Sequence, residues 1–181
     1  MHHTLRFYTH FREGFLRYYI WQAKWTRVPL IGRAVRWVGN KYGETSHGAY
    51  LLTPEEARQL IDLSPELLVG PCACRHVFHN CENPLNAELM LGKANPFVES
   101  RPADYRPVSR EEARALLDSC RARGLVSTII KCRRDFYAIC NCCSCCCVPL
   151  RLRKDYGIGS ALVRSPDIVA EFNAWLAEAA A

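Results

Sequence analysis

Cys72, Cys74 and Cys81 form one short cluster of thiols, and Cys140, Cys142, Cys143, Cys145, Cys146 and Cys147 form a second. The second reads CNCCSCCC, six thiols within eight residues. Neighbours in such a run cannot pair as disulfides without severe strain. They suit a soft cofactor instead, and iron held by thiolates comes first. A cubane needs four converging thiolates, and the first cluster offers three. Cys72 and Cys74 stand two apart, so an extended backbone points both toward one cofactor. The set must then be completed from the second cluster, which brings two distant segments together. The same alternation puts Cys140, Cys142 and Cys146 on one side and Cys143, Cys145 and Cys147 on the other, unless a turn at Ser144 redirects one half. The expected cofactor is one [4Fe-4S] cluster, and the nine thiols exceed by one the eight that a second cluster would require.

Zinc is the plainer alternative, with His76 or His79 able to replace one thiolate, but zinc sites use spaced cysteine pairs rather than a run. Surface or supporting roles are expected for both histidines. Arg75, Arg133 and Arg134 lie near the cysteines in sequence and can offset thiolate charge. Cys120 falls on the apolar face of a helix and Cys132 in a hairpin turn, and neither reads as a ligand.

The elements that must position these thiols are partly legible. Phe7, Phe11, Phe15 and Tyr18 recur at helical spacing, predicting an amphipathic helix over 5–25. A second short helix is expected from Ile31 to Val38, ending near Gly39, followed by a connector over 40–48. Thr53, Pro54 and Glu56 announce a capped helix, as do Ser109 and Glu112, the latter helix stopping at Gly124. Leu67 to Gly70 reads as extended, and Asn83-Pro84 as the start of a short helix closed by Gly92. Leu125–Lys131 and Phe136–Cys140 form a hairpin, and helix plus hairpin has a winged-helix-like outline. Ser165-Pro166 opens a last helix carrying Ile168, Phe172, Trp175 and Leu176. The expected class is α+β, mainly helical with a small β-hairpin and a cysteine-rich metal-binding region.

The chain has 181 residues and a formal net charge of +6. Residues 1–50 hold eight Lys/Arg against two Asp/Glu, and eleven of the nineteen aromatics. They read as a basic, aromatic-rich helical arm, with 51–181 as the cysteine-rich domain. Such an arm suits an anionic lipid surface, nucleic acid or a protein partner, or it simply docks on the core. An odd cysteine count excludes a fully paired disulfide framework, and no secretory leader or spanning stretch is read, so a reducing cytoplasm is expected.

CxCR with a cysteine six residues after the arginine, then Pro-Leu and Leu-x-Leu-Gly, a Ser-x-Glu-Glu-Ala helix ending in Arg-Gly-Leu-Val, and CNCCSCCC together resemble a family of anaerobe-type, ferredoxin-like 4Fe-4S proteins, over roughly 50–150. The resemblance implies iron–sulfur binding by Cys72, Cys74, Cys81 and the 140–147 run. Family members often carry a further cysteine where this chain has Glu88, so that ligand is either replaced by a carboxylate oxygen or lost, and loss is the preferred reading. Many also continue into a ferredoxin module, whose spacing is missing here, so a redox partner must complete any electron relay.

The function expected is therefore an iron–sulfur electron-transfer or redox accessory protein with a protein partner, its arm touching that partner or a membrane surface. A redox-responsive winged-helix DNA-binding regulator and a structural zinc protein are the alternatives. A self-contained enzyme is disfavoured, since no nucleophile–base pair, phosphate loop or nicotinamide fingerprint accompanies the cysteines.

Overall fold

A computed structural model describes residues 3–92 and 95–180. The fold is α+β, built on one six-stranded antiparallel sheet. In chain order, helix α1 is His3–Ala23, α2 Gly32–Thr45, strand β1 His47–Leu51, α3 Pro54–Leu63, β2 Leu67–Pro71, α4 Ala73–Phe78 and β3 Asn86–Leu91. Then come α5 Pro96–Ser100, β4 Arg106–Pro107, α6 Arg110–Ala122, β5 Val126–Cys132, β6 Asp135–Cys142, α7 Val148–Tyr156 and α8 Ile168–Ala180. The strands lie in the order β1-β5-β6-β3-β2-β4.

Local chemistry sets several of these boundaries. Thr53 accepts from the Glu56 amide while the Glu56 carboxylate accepts from the Thr53 amide, and Ser109 and Glu112 do the same for α6. Both boxes satisfy amides that a helix start otherwise leaves without partners. Gly124, with φ of 75°, supplies the left-handed residue after α6 that turns the chain into β5.

Two layers cover the sheet. On one face α3, α6 and α8 bring Leu60, Ile61, Leu117, Ile168 and Phe172 against Val69, Leu89, Ile129, Phe136 and Ile139. On the other, α1 and α5 bring Tyr8, Phe97 and Val98 against Met90, Ile130, Tyr137, Cys140 and Cys142. Every residue of β6 is buried, as a central strand requires.

Three expectations need correction. The hairpin exists, but β1 and β3 flank it on both sides, so it is the middle of a sheet and not a free wing. The helix expected after Pro84 is strand β3: Ala87, Leu89 and Leu91 alternate with Glu88 and Met90, and pairing with β2 and β6 overrides the local turn signals. Finally α2 runs on through Gly39 and Gly43 to Thr45, taking in most of the expected connector. Both glycines are there for packing. A Cβ at Gly39 would stand 2.9 Å from the Ile158 side chain, and one at Gly43 2.7 Å from the Ser160 carbonyl oxygen.

The capping box makes a direct prediction. Ser109→Ala removes an exposed cap and no core contact, so urea unfolding should show a loss of about 1 kcal/mol with an unchanged m-value.

Candidate metal centre

Strand β6 carries Cys140 and Cys142 on the face that α1 covers. Antiparallel pairing places Thr128 and Glu88 on either side of Cys140, so these three side chains share that face. The Thr128 hydroxyl lies 3.4 Å from Cys142 Sγ, and Cys140 Sγ donates to Glu88 Oε1 at 3.3 Å. Beyond Cys142 the strand ends. Residues 144–146 form a tight turn closed by the Cys147 amide donating to the Cys143 carbonyl at 3.1 Å, and α7 begins at once.

This turn sorts the thiols into two groups. The outer group is Cys81, Cys143, Cys145 and Cys146, whose sulfurs all lie within 4.8 Å of one another. Cys81 Sγ is 3.7 Å from both Cys143 Sγ and Cys146 Sγ. Cys143 and Cys146 are buried, while Cys81 and Cys145 are partly exposed. The inner group gathers around Cys142, which is within hydrogen-bonding reach of Cys140 and Cys147. Cys147 also reaches Cys74, and the Val148 amide donates to Cys74 Sγ at 3.5 Å. Cys72 stands close enough to Cys74 and Cys142 for their charges to act on it.

The two distant segments do meet, but not in the grouping expected. Cys72 and Cys74 belong with the inner group and Cys81 with the outer one. Cys72 is the N-cap of α4, and Cys74 lies within that helix rather than on an extended strand. His79, left-handed with φ of 48°, then reverses the chain toward Cys81. Cys146 and Cys147 likewise exchange sides, because strand alternation ends at Cys142 and the turn sets their directions. Cys120 is buried against the outer group's Cys143 and Cys146 in a small apolar cluster, and Cys132 is buried at the end of β5. His76 lies 4.0 Å from the Glu13 carboxylate at the surface, and both sulfur groups are built without either histidine.

Charge is managed by buried arginines. Arg75 donates to the carbonyls of Pro84 and Asn141 and stands between the groups. Burial works against its charge, but Cys72, Cys143 and Cys142 outweigh that and raise its pKa. Arg133 and Arg134, in contrast, sit at the far end of the hairpin from Cys142. Arg12, from α1, forms an ion pair with Glu88 and lies 4.6 Å over the Phe97 ring. Its burial disfavours the cation, yet the Glu88 carboxylate and the phenols of Tyr137 and Tyr8 hold its pKa well above the ordinary value. Nothing in the sequence placed Arg12 there. The available signal was Glu88 itself, a carboxylate within the apolar run Ala-Glu-Leu-Met-Leu, which demands a buried cation.

The thiols differ in acidity. At Cys81, burial pushes the pKa up, but hydrogen bonds from the Asn83 amide, Cys145, the Asn83 side chain and Cys143 overcome it and lower the pKa to about 6. Donation from Cys140 and Cys147 takes Cys142 well below the ordinary thiol value, and the same two donors are pushed well above it. Each group thus has one thiol whose neighbours favour the thiolate, the form that binds metal.

Donor number, softness and spacing fit thiolate-held metal at the outer group; the inner thiols are linked in pairs through Cys142 and Cys147. A tetrahedron with metal–sulfur legs of about 2.3 Å has edges of about 3.8 Å, close to the outer group's 3.7 Å separations. A cubane binds each thiolate at a separate iron, so its sulfurs must stand wider apart. Cys81 and Cys145 are the partly exposed members, on a loop and a turn. No protein-family model, curated protein or solved structure matches the chain.

Two predictions follow from this geometry. In metal-free protein Cys81 should be the thiol first alkylated by iodoacetamide, its rate rising through about pH 6 as the thiolate forms; Cys81→Ser should remove that fast phase, and a first phase rising only near the ordinary thiol range would contradict it. Glu88→Leu leaves Arg12 buried without its counter-charge and should cost about 3–5 kcal/mol, whereas the pair Arg12→Met with Glu88→Leu should recover most of that loss. Denaturant unfolding of the four proteins measures it.

Proposed function

We propose that this is an iron–sulfur protein that moves single electrons, with the outer and inner thiol groups as its two iron-holding sites. The observation that carries this reading is the partition of nine cysteines into two adjoining groups that share one turn. Cys142 and Cys143 are consecutive yet serve different groups, as are Cys146 and Cys147, so a single peptide unit separates the groups at two places. Thiolate-bound iron supplies one-electron redox chemistry, tuned by burial and hydrogen bonding. The chain contributes the acidic thiols Cys81 and Cys142, the cation Arg75 between the groups, and a largely buried setting. The motif resemblance to anaerobe-type 4Fe-4S proteins supports the same reading.

The exposed aromatics of α1 and α2 give such a protein a docking face. Phe7, Trp21 and Trp37 are 60%, 56% and 65% exposed, and Leu30 between the helices is 99% exposed. Arg17, Lys24 and Arg33 lie among them, so the face suits an acidic redox partner or the surface of an anionic membrane. No described helix is long and apolar enough to cross a bilayer. A reducing compartment such as the cytoplasm would keep the thiols available.

One observation favours a second reading: the 3.7 Å sulfur separations suit a single zinc ion at the outer group, with a structural role. Metal and acid-labile sulfide analysis of protein purified without oxygen distinguishes the two. Iron with sulfide, a broad visible absorbance lost on oxidation, and a paramagnetic signal on reduction are expected. Cys142→Ser and Cys146→Ser should each remove part of the iron, from the inner and outer groups respectively. A colourless protein with stoichiometric zinc and no iron would overturn the electron-transfer reading.

A further inference from the structure

Phe7, Phe11, Tyr18 and Trp21 recur along α1 at helical spacing, Trp25 follows in the link to α2, and all five are exposed. They stack on one another, with ring centroids 5.1 Å apart for Phe7 and Phe11, 6.0 Å for Tyr18 and Trp21, and 6.2 Å for Trp21 and Trp25. On α2, Trp37, Val38 and Tyr42 are exposed as well. Tyr18, Val38 and Tyr42 all line one apolar cavity between α1, α2 and the start of α7, so the exposed rows of the two helices adjoin at its rim. The result is one continuous aromatic face.

The link between the helices is its most apolar end. Val28 and Ile31 are exposed, and Leu30 is exposed over almost its whole surface. Leu30 also holds a φ of 73°, a left-handed conformation that costs glycine little and leucine more. Glycine would suit this backbone better, and no burial within the chain repays the leucine.

Charge identifies what the face meets. Residues 14–43 hold six Lys/Arg and no Asp/Glu. Arg27 lies over the Tyr156 ring, Arg36 donates to the Thr26 carbonyl, and Lys41 pairs with Glu44. Arg17, Lys24 and Arg33 are exposed and form no ion pair with a described residue. Arg17 and Lys24 stand four before and three after Trp21, and Arg33 stands four before Trp37. Both tryptophans therefore have a free cation about one turn away.

A second copy of this chain would set these cations against their own kind. A nucleic acid would satisfy the cations and stack on the rings, but it would hold Val28, Leu30 and Ile31 against phosphate or water. An acidic protein would need a cleft for the tip and an acidic wall beside it, along a row that runs about 27 Å from Phe7 to Trp25 on the rise of a helix. The interface of an anionic bilayer meets every demand on one surface. Its acyl boundary takes the apolar tip, its headgroup level takes tryptophan and tyrosine, and its phosphates take the cations.

We infer that the α1–α2 face binds peripherally to an anionic phospholipid membrane, with Leu30 and its neighbours entering the acyl boundary and Arg17, Lys24 and Arg33 on the headgroup phosphates. This docking rests on the surface and not on what the thiols hold.

Flotation of the full chain, purified without oxygen, with vesicles of phosphatidylcholine and phosphatidylglycerol in equal parts tests it against vesicles of phosphatidylcholine alone. Binding to the mixed vesicles is expected, tighter by at least about tenfold than to the neutral ones. Leu30→Gly eases the backbone and touches no core contact, so it should fold normally and bind the mixed vesicles about tenfold more weakly. Lys24→Gln with Arg33→Gln should weaken binding to the mixed vesicles by about tenfold and leave the neutral ones unchanged. No flotation, equal affinity for both vesicles, unchanged affinity in Leu30→Gly, or a single-stranded oligonucleotide or polyglutamate bound as tightly as the mixed vesicles would overturn the inference. A zinc-loaded protein that floats with anionic vesicles would sink the redox reading and leave this surface standing, and an iron–sulfur protein that does not float would do the reverse.

Discussion

The reversal of the chain just beyond β6 governs how the thiols of the 140–147 run divide. A central strand has its side-chain directions fixed by ladders on both sides, and those ladders aim Cys140 and Cys142 beneath α1. One residue later the backbone leaves the sheet, and the bond from the Cys147 amide to the Cys143 carbonyl closes a turn that points the next sulfurs the other way. Helix α7 then starts at Val148, with Cys147 as its N-cap, and its first amide donates to Cys74 Sγ. A dense cysteine run is thereby divided into separate groups without any intervening spacer. The first segment is divided too, because α4 carries Cys72 and Cys74 inward and the left-handed His79 turns Cys81 outward.

Gathering thiolates in an interior requires positive charge nearby, and the chain provides it from two directions. Arg75 comes from α4, within the cysteine region itself. Arg12 comes from α1, so the basic N-terminal helix contributes a cation to the core and is not merely a solvated appendage. Tyr8, stacked in the same layer with Phe97 and Tyr137, is part of that docking, and its phenol is held protonated by burial. The rest of the helix's aromatics face outward or toward the cavity. A single helix thus has a packing face, a cavity face and a solvent face, which accounts for an aromatic content too large for the core alone.

Much of this was readable from local chemistry. The Thr53–Glu56 and Ser109–Glu112 boxes, the helical spacing of Phe7, Phe11 and Phe15, and the strand character of 125–131 and 136–140 all depend on near neighbours. What the sequence concealed depends on contacts between distant segments. Residues 86–91 follow an Asn-Pro turn signal, and only pairing with β2 and β6 makes them a strand. The alternation rule placed Cys140, Cys142, Cys143 and Cys145 correctly, and it failed for Cys146 and Cys147 because it holds only where the backbone stays extended. Cys81 could not be separated from Cys72 and Cys74 without knowing that a helix stands between them. The space between α1, α2 and α7 was invisible for the same reason, since its walls come from helices distant in sequence.

The two sulfur groups also age differently. Cys81 and Cys145 are partly open to water, whereas Cys140, Cys142 and Cys147 lie behind the sheet and its covering helix. Oxidants and chelators therefore meet a loop and a turn before they meet a strand. Damage there leaves the backbone ladder of β6 intact, and with it the scaffold on which an outer site can be rebuilt. The molecule wears from the rim inward.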